Sequence, residues 1–455
     1  MSEQSQRGLS RRQFLHLTLT GAAGALLAAA CQPVTTGVQA PAAAPASEQP
    51  IEIAWWFWVG SEKDKEWLQP LVTGFSERYP QYRVRMETPA YDGYKEKIMS
   101  MIAAGTPPEH FQLTGGDWYR ELIKQNVLMD LTETATELNV DKEELPVQQV
   151  ACKVDGKYWG LTTICHTFGL YYNEDMFTAA GVKTPVDYWN EKNWTWDTFL
   201  EVAKALSTGP EDARETFGYL INEWADFGGW MWSAGGQEVD NIAPVTKVTF
   251  DSDPALQGLR FLQDLRCKYK AAPTPQQLQS GVDLFGTGKV AMQWMGTWVR
   301  MPWASELKFK WNVAPFPLHP QLKKPFQYGH YGIRANSAGL SPEVAAAAIA
   351  WVKYDHSLDA QKLEAASFSV LPINKTIATS DATLKAGEPY GKGDLNNWVF
   401  IDGVDNVRVD AVDPNYSQIK NEVINPELDL FWSCKLSADD LVAKVVPAAN
   451  QKLTK

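Results

Sequence analysis

Long apolar runs, cationic charge and the short signatures of catalysis are all scarce in these 455 residues. The apolar stretch at 21–30 is too short and too rich in Ala and Gly to read as a bilayer span, which takes about 20 apolar residues. A formal net charge of -12 excludes nucleic acid and anionic membrane surfaces as partners, because both require a positive field. The 6 His are scattered without an H-E-x-x-H pair, and no Gly-x-Ser-x-Gly elbow occurs. Gly281 and Gly286 have the spacing of a phosphate loop, but Thr287 stands where Lys is required and Lys289 is followed by Val290. The 5 Cys lack the spacing of a zinc site. No metal and no cofactor are expected. What the chain has in quantity is indole, with 19 Trp against 16 Tyr. Either the core is unusually indole-rich or some of these rings face a ligand.

The first 31 residues read as an address. Ser10-Arg11-Arg12-Gln13-Phe14-Leu15 resembles the twin-arginine export motif, and Cys31 after Ala28-Ala29-Ala30 resembles the lipidated residue of a lipoprotein signal. Residues 32–50, rich in Pro, Ala, Thr and Ser, read as a flexible tether. The expected location is outside the cytoplasm, on the outer face of the cytoplasmic membrane or in the periplasm, held by lipid alone. Cys152 and Cys165 flank a hairpin expected to turn at Asp155-Gly156, so a local bridge is conceivable. Export of a chain already folded in a reducing cytoplasm favours buried free thiols instead, at Cys267 and Cys434 as well.

The length suits two or three domains. From residue 51 strands and helices alternate: an apolar strand at 51–58, a helix to Tyr79, an alternating strand at 82–87, a helix at 91–104 stopped by Gly105, a strand at 111–113, and a helix opened by Gly115-Gly116-Asp117. This α/β alternation implies a parallel sheet covered on both faces. Strands are expected at 158–163 and 167–173, a helix capped by Thr195 with Thr198 nearby, and a buried strand at 290–294 that leads through Gly296 to Trp298. That position, beyond the carboxyl end of a strand, is where ligands sit in open α/β sheets.

F-S-E-R-Y-P at 75–80, I-A-A-G-T-P-P at 102–108, Asp117, and N-V-L-M-D-L-T-E at 126–133 follow one another in an order that resembles the amino-terminal lobe of the family 1 extracellular solute-binding proteins. These are relatives of maltose- and oligosaccharide-binding proteins that serve ABC importers. The pattern F-x-x-G-K-x-A-M-x-x-x-G-x-W at 285–298, the crossing segments near 171–177, 328–336 and 367–377, and the closing helices extend the likeness to the carboxyl terminus. One departure is Pro108-Glu109, where members usually read Pro-Asp. The resemblance implies a two-lobe periplasmic-binding-protein fold of type II, each lobe a mostly parallel sheet flanked by helices, with the ligand in the cleft. The lobes would comprise 51–168 with 331–375, and 169–330 with 376–455. It implies a binding protein rather than an enzyme, monomeric, delivering a saccharide to the membrane subunits of an ABC transporter. A secreted glycoside-acting enzyme or a carbohydrate sensor would share the Trp-rich, acidic composition.

A cleft for sugars needs flat aromatics for ring faces and polar groups for hydroxyls stripped of water. Position at strand ends and crossings nominates Trp56 and Trp58, of which one should face the cleft, and Asp117, whose alternative is a helix cap. Tyr171 and Asn173 lie on the crossing, where hinge packing is the alternative. The cluster of Trp224, Asp226, Trp230 and Trp232 should supply one or two contacts. Trp298, Tyr331 and Trp398 complete the set, with core packing as the alternative for Trp298.

Overall fold

The computed structural model describes residues 49–59, 64–114, 116–278 and 282–454. The expected leader at 1–31, Cys31, the tether as far as residue 48 and Gly115 lie outside the described residues. The strands are β1 Ile51–Trp56, β2 Tyr82–Glu87, β3 His110–Thr114, the short hairpin of β4 Lys153–Val154 and β5 Lys157–Tyr158, β6 Ile164–Asn173, β7 Phe217–Leu220, β8 Val290–Gly296, β9 Trp311–Ala314, β10 Gln327–Asn336, β11 Leu371–Pro372 and β12 Val407–Arg408. The main sheet runs β2-β1-β3-β10-β6-β8-β7, with β9 and β11 also on β6 and β12 on β10.

β1 pairs parallel with both β2 and β3, and β7 pairs parallel with β8. The two longest strands break the parallel pattern: β6 and β10 are antiparallel to each other, β10 to β3, and β6 to β8 and β9. β1 is central, so Ile53, Ala54 and Trp55 are all buried, as a strand covered on both faces requires. β2 lies at the edge and alternates; its Arg85 Nε bonds Glu52 at 2.8 Å. Glu109, at the family's Pro-Asp position, accepts the Ala54 N–H at 2.9 Å and so ties the approach to β3 back onto β1. Thr195 and Thr198 do cap the helix Trp196–Ala205, with the Thr195 N–H bonded to Thr198 Oγ1 at 2.9 Å.

The buried residues fall into two groups of clusters. Those from Ile53 to Cys165 share cores with Tyr331–Ala378, while those from Phe168 to Tyr328 share cores with the carboxyl-terminal helices. β6 changes allegiance between Cys165 and Phe168, and β10 between Tyr328 and Tyr331. The two halves are therefore joined where these strands lie side by side.

Three expectations need correction. β1 ends at Trp56 rather than Trp58, because Val59 bridges Ala90 in the following loop. The strand foreseen at 158–163 is limited to Lys157–Tyr158, since the Thr162 N–H is taken by the Gln148 side chain at 2.9 Å instead of by a ladder. Cys267 and Cys434 form a disulfide, while Cys152 and Cys165 are buried free thiols. Cys267 ends one helix and Cys434 follows another, 167 residues on. That contact is tertiary, so local spacing could not reveal it.

Candidate ligand-binding site

The floor is built by strand register. His330 of β10 lies directly opposite His166 of β6, so both imidazoles point to one face of the pair. Phe168 and Tyr328, each two residues away along its own strand, share that face. Trp298 stands edge-on to His166 and Phe168, with ring centroids at 5.3 Å in both contacts, and 5.8 Å from His330. Trp224 packs 5.6 Å from Phe168, 5.7 Å from His330 and 5.8 Å from Tyr328. The two indoles lie 6.4 Å apart and 20° from parallel. Trp224 nevertheless keeps 49% of its surface exposed. An indole packed on one side and bare on the other is a platform.

The chain around Trp298 shows why it stands there. A Cβ on Gly296 would fall 1.9 Å from Cζ3 of Trp298, so only glycine lets the indole fold back over the strand end. Thr297 Oγ1 lies 2.9 Å from His166 Nδ1, locking the turn to the floor. Arg300, fully buried, bonds Asn397 Oδ1 at 2.8 Å and the Val370 carbonyl at 3.1 Å, and lies over the rings of Phe368 and Phe400. Desolvation lowers its pKa to about 10, so it stays charged. Burial holds His166 down to about 3 and lowers His330 as well. Both imidazoles are neutral at neutral pH, hydrogen-bonding groups without charge.

Sequence reasoning missed both histidines and a carboxylate, Asp410. Its Oδ2 accepts the Tyr328 hydroxyl at 2.5 Å. The side chain is accessible to solvent, yet surrounding protein raises its pKa by desolvation. Beside it Glu238 holds Lys420 at 2.7 Å and the Tyr416 hydroxyl at 2.7 Å. Asp410 follows the short strand β12, and the rule that nominated Asp117 from a strand exit would have found it had β12 been recognisable. The histidines give no local signal, because only the β6–β10 register brings them together.

In the first half Trp58 is partly exposed and touches Tyr91 and Tyr94, and Trp56 lies beneath Lys97 Nζ at 4.7 Å. Asp117 is in the first turn of the helix Gly116–Lys124, 4.0 Å from Lys95. The same helix abuts the Asp410 segment: a Cβ on Gly116 would lie 2.3 Å from Val412.

Other nominated residues have packing roles. Trp230 is fully buried, stacked on Phe261 at 4.5 Å. Asp226 is fully buried and accepts from the Tyr219 hydroxyl, the Trp230 indole and the Asn222 N–H at 2.5, 3.0 and 2.6 Å. Asn173 caps the helix Glu174–Ala180, accepting from the Met176 N–H at 3.1 Å. Tyr171 is buried and props the strand end beneath Trp298, its hydroxyl 3.2 Å from the Gly296 carbonyl. Tyr331 is buried in the first half's core. Ligand contact at these 5 positions gives way to packing, because each side chain is enclosed by its own half. Trp232 is partly buried against Tyr328 at 5.2 Å, and Trp398 leans on Trp189 at 6.2 Å. Among the described residues no cluster of His, Cys, Asp or Glu could hold a metal ion.

Two α/β halves joined by a pair of crossing strands, with open indoles above the junction, define the two-lobe class of solute-binding folds. The family described as bacterial extracellular solute-binding protein matches residues 60–356, and the chain belongs to it. It is 28% identical over 182 residues to an uncharacterized ABC transporter extracellular-binding protein of Pyrococcus horikoshii, covering 38% of this chain and 40% of that one. It is 26% identical over 302 residues to the maltodextrin-binding protein MdxE of Bacillus subtilis, covering 64% and 67% respectively. The solved structure of an ABC substrate-binding protein from Listeria monocytogenes in complex with cycloalternan superposes with a TM-score of 0.73 at 22% identity, covering 89% of this chain and 100% of that one. That likeness establishes the fold.

Proposed function

We propose that this protein captures a sugar or oligosaccharide between its lobes by hinge closure and delivers it to the membrane subunits of an ABC importer. The observation that carries the reading is the Trp224–Trp298 platform over the His166–His330 floor. Flat apolar faces suit the C–H faces of pyranose rings, and neutral imidazoles with a carboxylate suit their hydroxyls. Trp224, with 49% of its surface exposed, has roughly half of the about 250 Å² of an indole left to cover, worth about 3 kcal/mol gross at the usual coefficient.

The lobes are taken as 51–168 with 331–375, and 169–330 with 376–455, hinged where β6 and β10 change cores. Trp58, Asp117 and Trp56 would then close from the first lobe onto Trp224, Trp298 and Asp410. Trp232 and Trp398 stand at the margin of this set. The chain works as a monomer that binds without turnover. It is exported by the twin-arginine route and anchored through lipidated Cys31. The maltodextrin-binding relative and the cycloalternan complex make maltodextrins and cycloalternan the first ligands to try.

A thermal-shift screen of saccharides and polyol phosphates tests the reading. A ligand at 100 times its dissociation constant adds about 2.7 kcal/mol to stability. Stabilisation by a saccharide without product is the expected result. Product formation would reassign the protein as a glycoside-acting enzyme, and no response to any saccharide would overturn the sugar assignment.

A further inference from the structure

The cleft floor continues into a second cavity. Arg408 pairs in register with Tyr328 across β10 and β12, and Trp232 packs against the same tyrosine. Beyond them lies a space of about 200 Å³, walled by Val150, Trp232, Val239 and Ile242 and edged by Glu238 and Arg408. A single water needs only about 10–15 Å³ by this kind of measure, so the space admits a chemical group of some size. Val150, 37% exposed, comes from the helix Val147–Cys152 of the first lobe, and Trp232, Val239 and Ile242 come from the second, so the cavity lies along the line of closure.

The polar edge of this cavity is unequal. Glu238 is already satisfied by Lys420 and Tyr416. The Arg408 guanidinium, among the described residues, has no protein acceptor, and its Nε is buried without a partner. Arg266 bonds Glu223, Arg334 bonds Asp355 and Glu364, and Arg300 bonds Asn397 and backbone carbonyls. Desolvation lowers the Arg408 pKa with no carboxylate opposing it. A guanidinium with a buried, unpartnered Nε at the edge of an amphipathic cavity is complementary to an anionic oxygen group, which it can bind through two parallel hydrogen bonds.

We infer that this cavity is a subsite for an anionic substituent of the ligand, a carboxylate or phosphate, read by Arg408. Trp232 gives the neighbouring sugar ring its apolar wall. This rests on the sugar-binding reading above and narrows its substrate class to acidic saccharides.

Calorimetric titrations of the whole protein with matched ligand pairs test it. One pair is an oligosaccharide ending in a uronic acid against its neutral hexose counterpart; the other is a sugar phosphate against the free sugar. The two arms separate carboxylate from phosphate as the anion. The acidic member of at least one pair is expected to bind about tenfold more tightly or better, as a charge-assisted hydrogen bond allows. Raising ionic strength should shrink that ratio. Arg408→Gln should bring it to about one, while Arg408→Lys, which keeps the charge, should retain part of it. Equal affinity for acidic and neutral partners in the unaltered protein overturns the subsite. So does an unchanged ratio in a folded Arg408→Gln protein. Neutral and acidic sugars both failing to bind, with Trp298→Ala no different, would instead overturn the parent reading and the subsite with it.

Discussion

Trp224 and Trp230 lie on one helix, Glu223–Ser233, six residues apart, and have opposite fates. Six steps of about 100° put them about 120° apart around the helix axis. Trp230 points into the second lobe's core, wholly buried, with its N–H satisfied by Asp226 at 3.0 Å. Trp224 points over the crossing strands, with 49% of its surface open. Composition counts these indoles alike. The difference is that one completes a core with its own N–H paired to Asp226, whereas the other covers a floor and leaves a face uncovered. An excess of Trp thus signals two things in this chain, and burial separates them.

That contrast can be broken by substitution. Trp230→Ala should lower unfolding free energy by about 3–5 kcal/mol in chemical denaturation, whereas Trp224→Ala should stay within about 0.5 kcal/mol. Equal losses would erase the distinction. Gly296→Ala comes next, since its Cβ cannot coexist with the Trp298 indole as placed. It should cost about 1–3 kcal/mol of stability and weaken ligand binding by moving the platform. Trp298→Ala should raise the dissociation constant about tenfold, or about 1.4 kcal/mol, in calorimetry while the melting curve stays cooperative.

A separate effect concerns pH. Burial raises the Asp226 pKa to about 7 from 3.8. The folded protein therefore keeps this proton over a range where the unfolded chain has lost it. The stability linked to Asp226 is complete below about pH 4 and is lost as pH rises through about 7. The slope is at most about 1.4 kcal/mol per pH unit, and denaturation at pH 5 and pH 8 measures it. Asp226→Asn should flatten that difference, at a cost of about 1–3 kcal/mol because its amide cannot satisfy every donor that Asp226 meets. An unchanged difference would remove Asp226 as its source.

Periodicity and order of motifs made the β1–β3 half legible, because parallel strands buried on both faces and amphipathic helices write themselves locally. The two-residue β12, the Cys267–Cys434 bridge and the antiparallel run of β6 against β10 were not, since each depends on partners far away in sequence. In the candidate site, the place of Trp298 beyond a strand and that of Trp224 in an aromatic cluster were legible. Asp226 and Trp230 carried the same local signal as Trp224 and turned out to be each other's partners. His166, His330 and Asp410 were silent, because what gives them meaning is register and enclosure rather than neighbours in the chain.

The most direct measurement is a fluorescence titration with a saccharide found by the thermal screen, comparing the unaltered protein with Trp224→Ala/Trp298→Ala. The unaltered protein should show a saturable change in indole emission, and the double variant, still folded, should show none at the same ligand concentrations. The same saturable change in the double variant would contradict the central claim that these two open indoles are where the sugar sits.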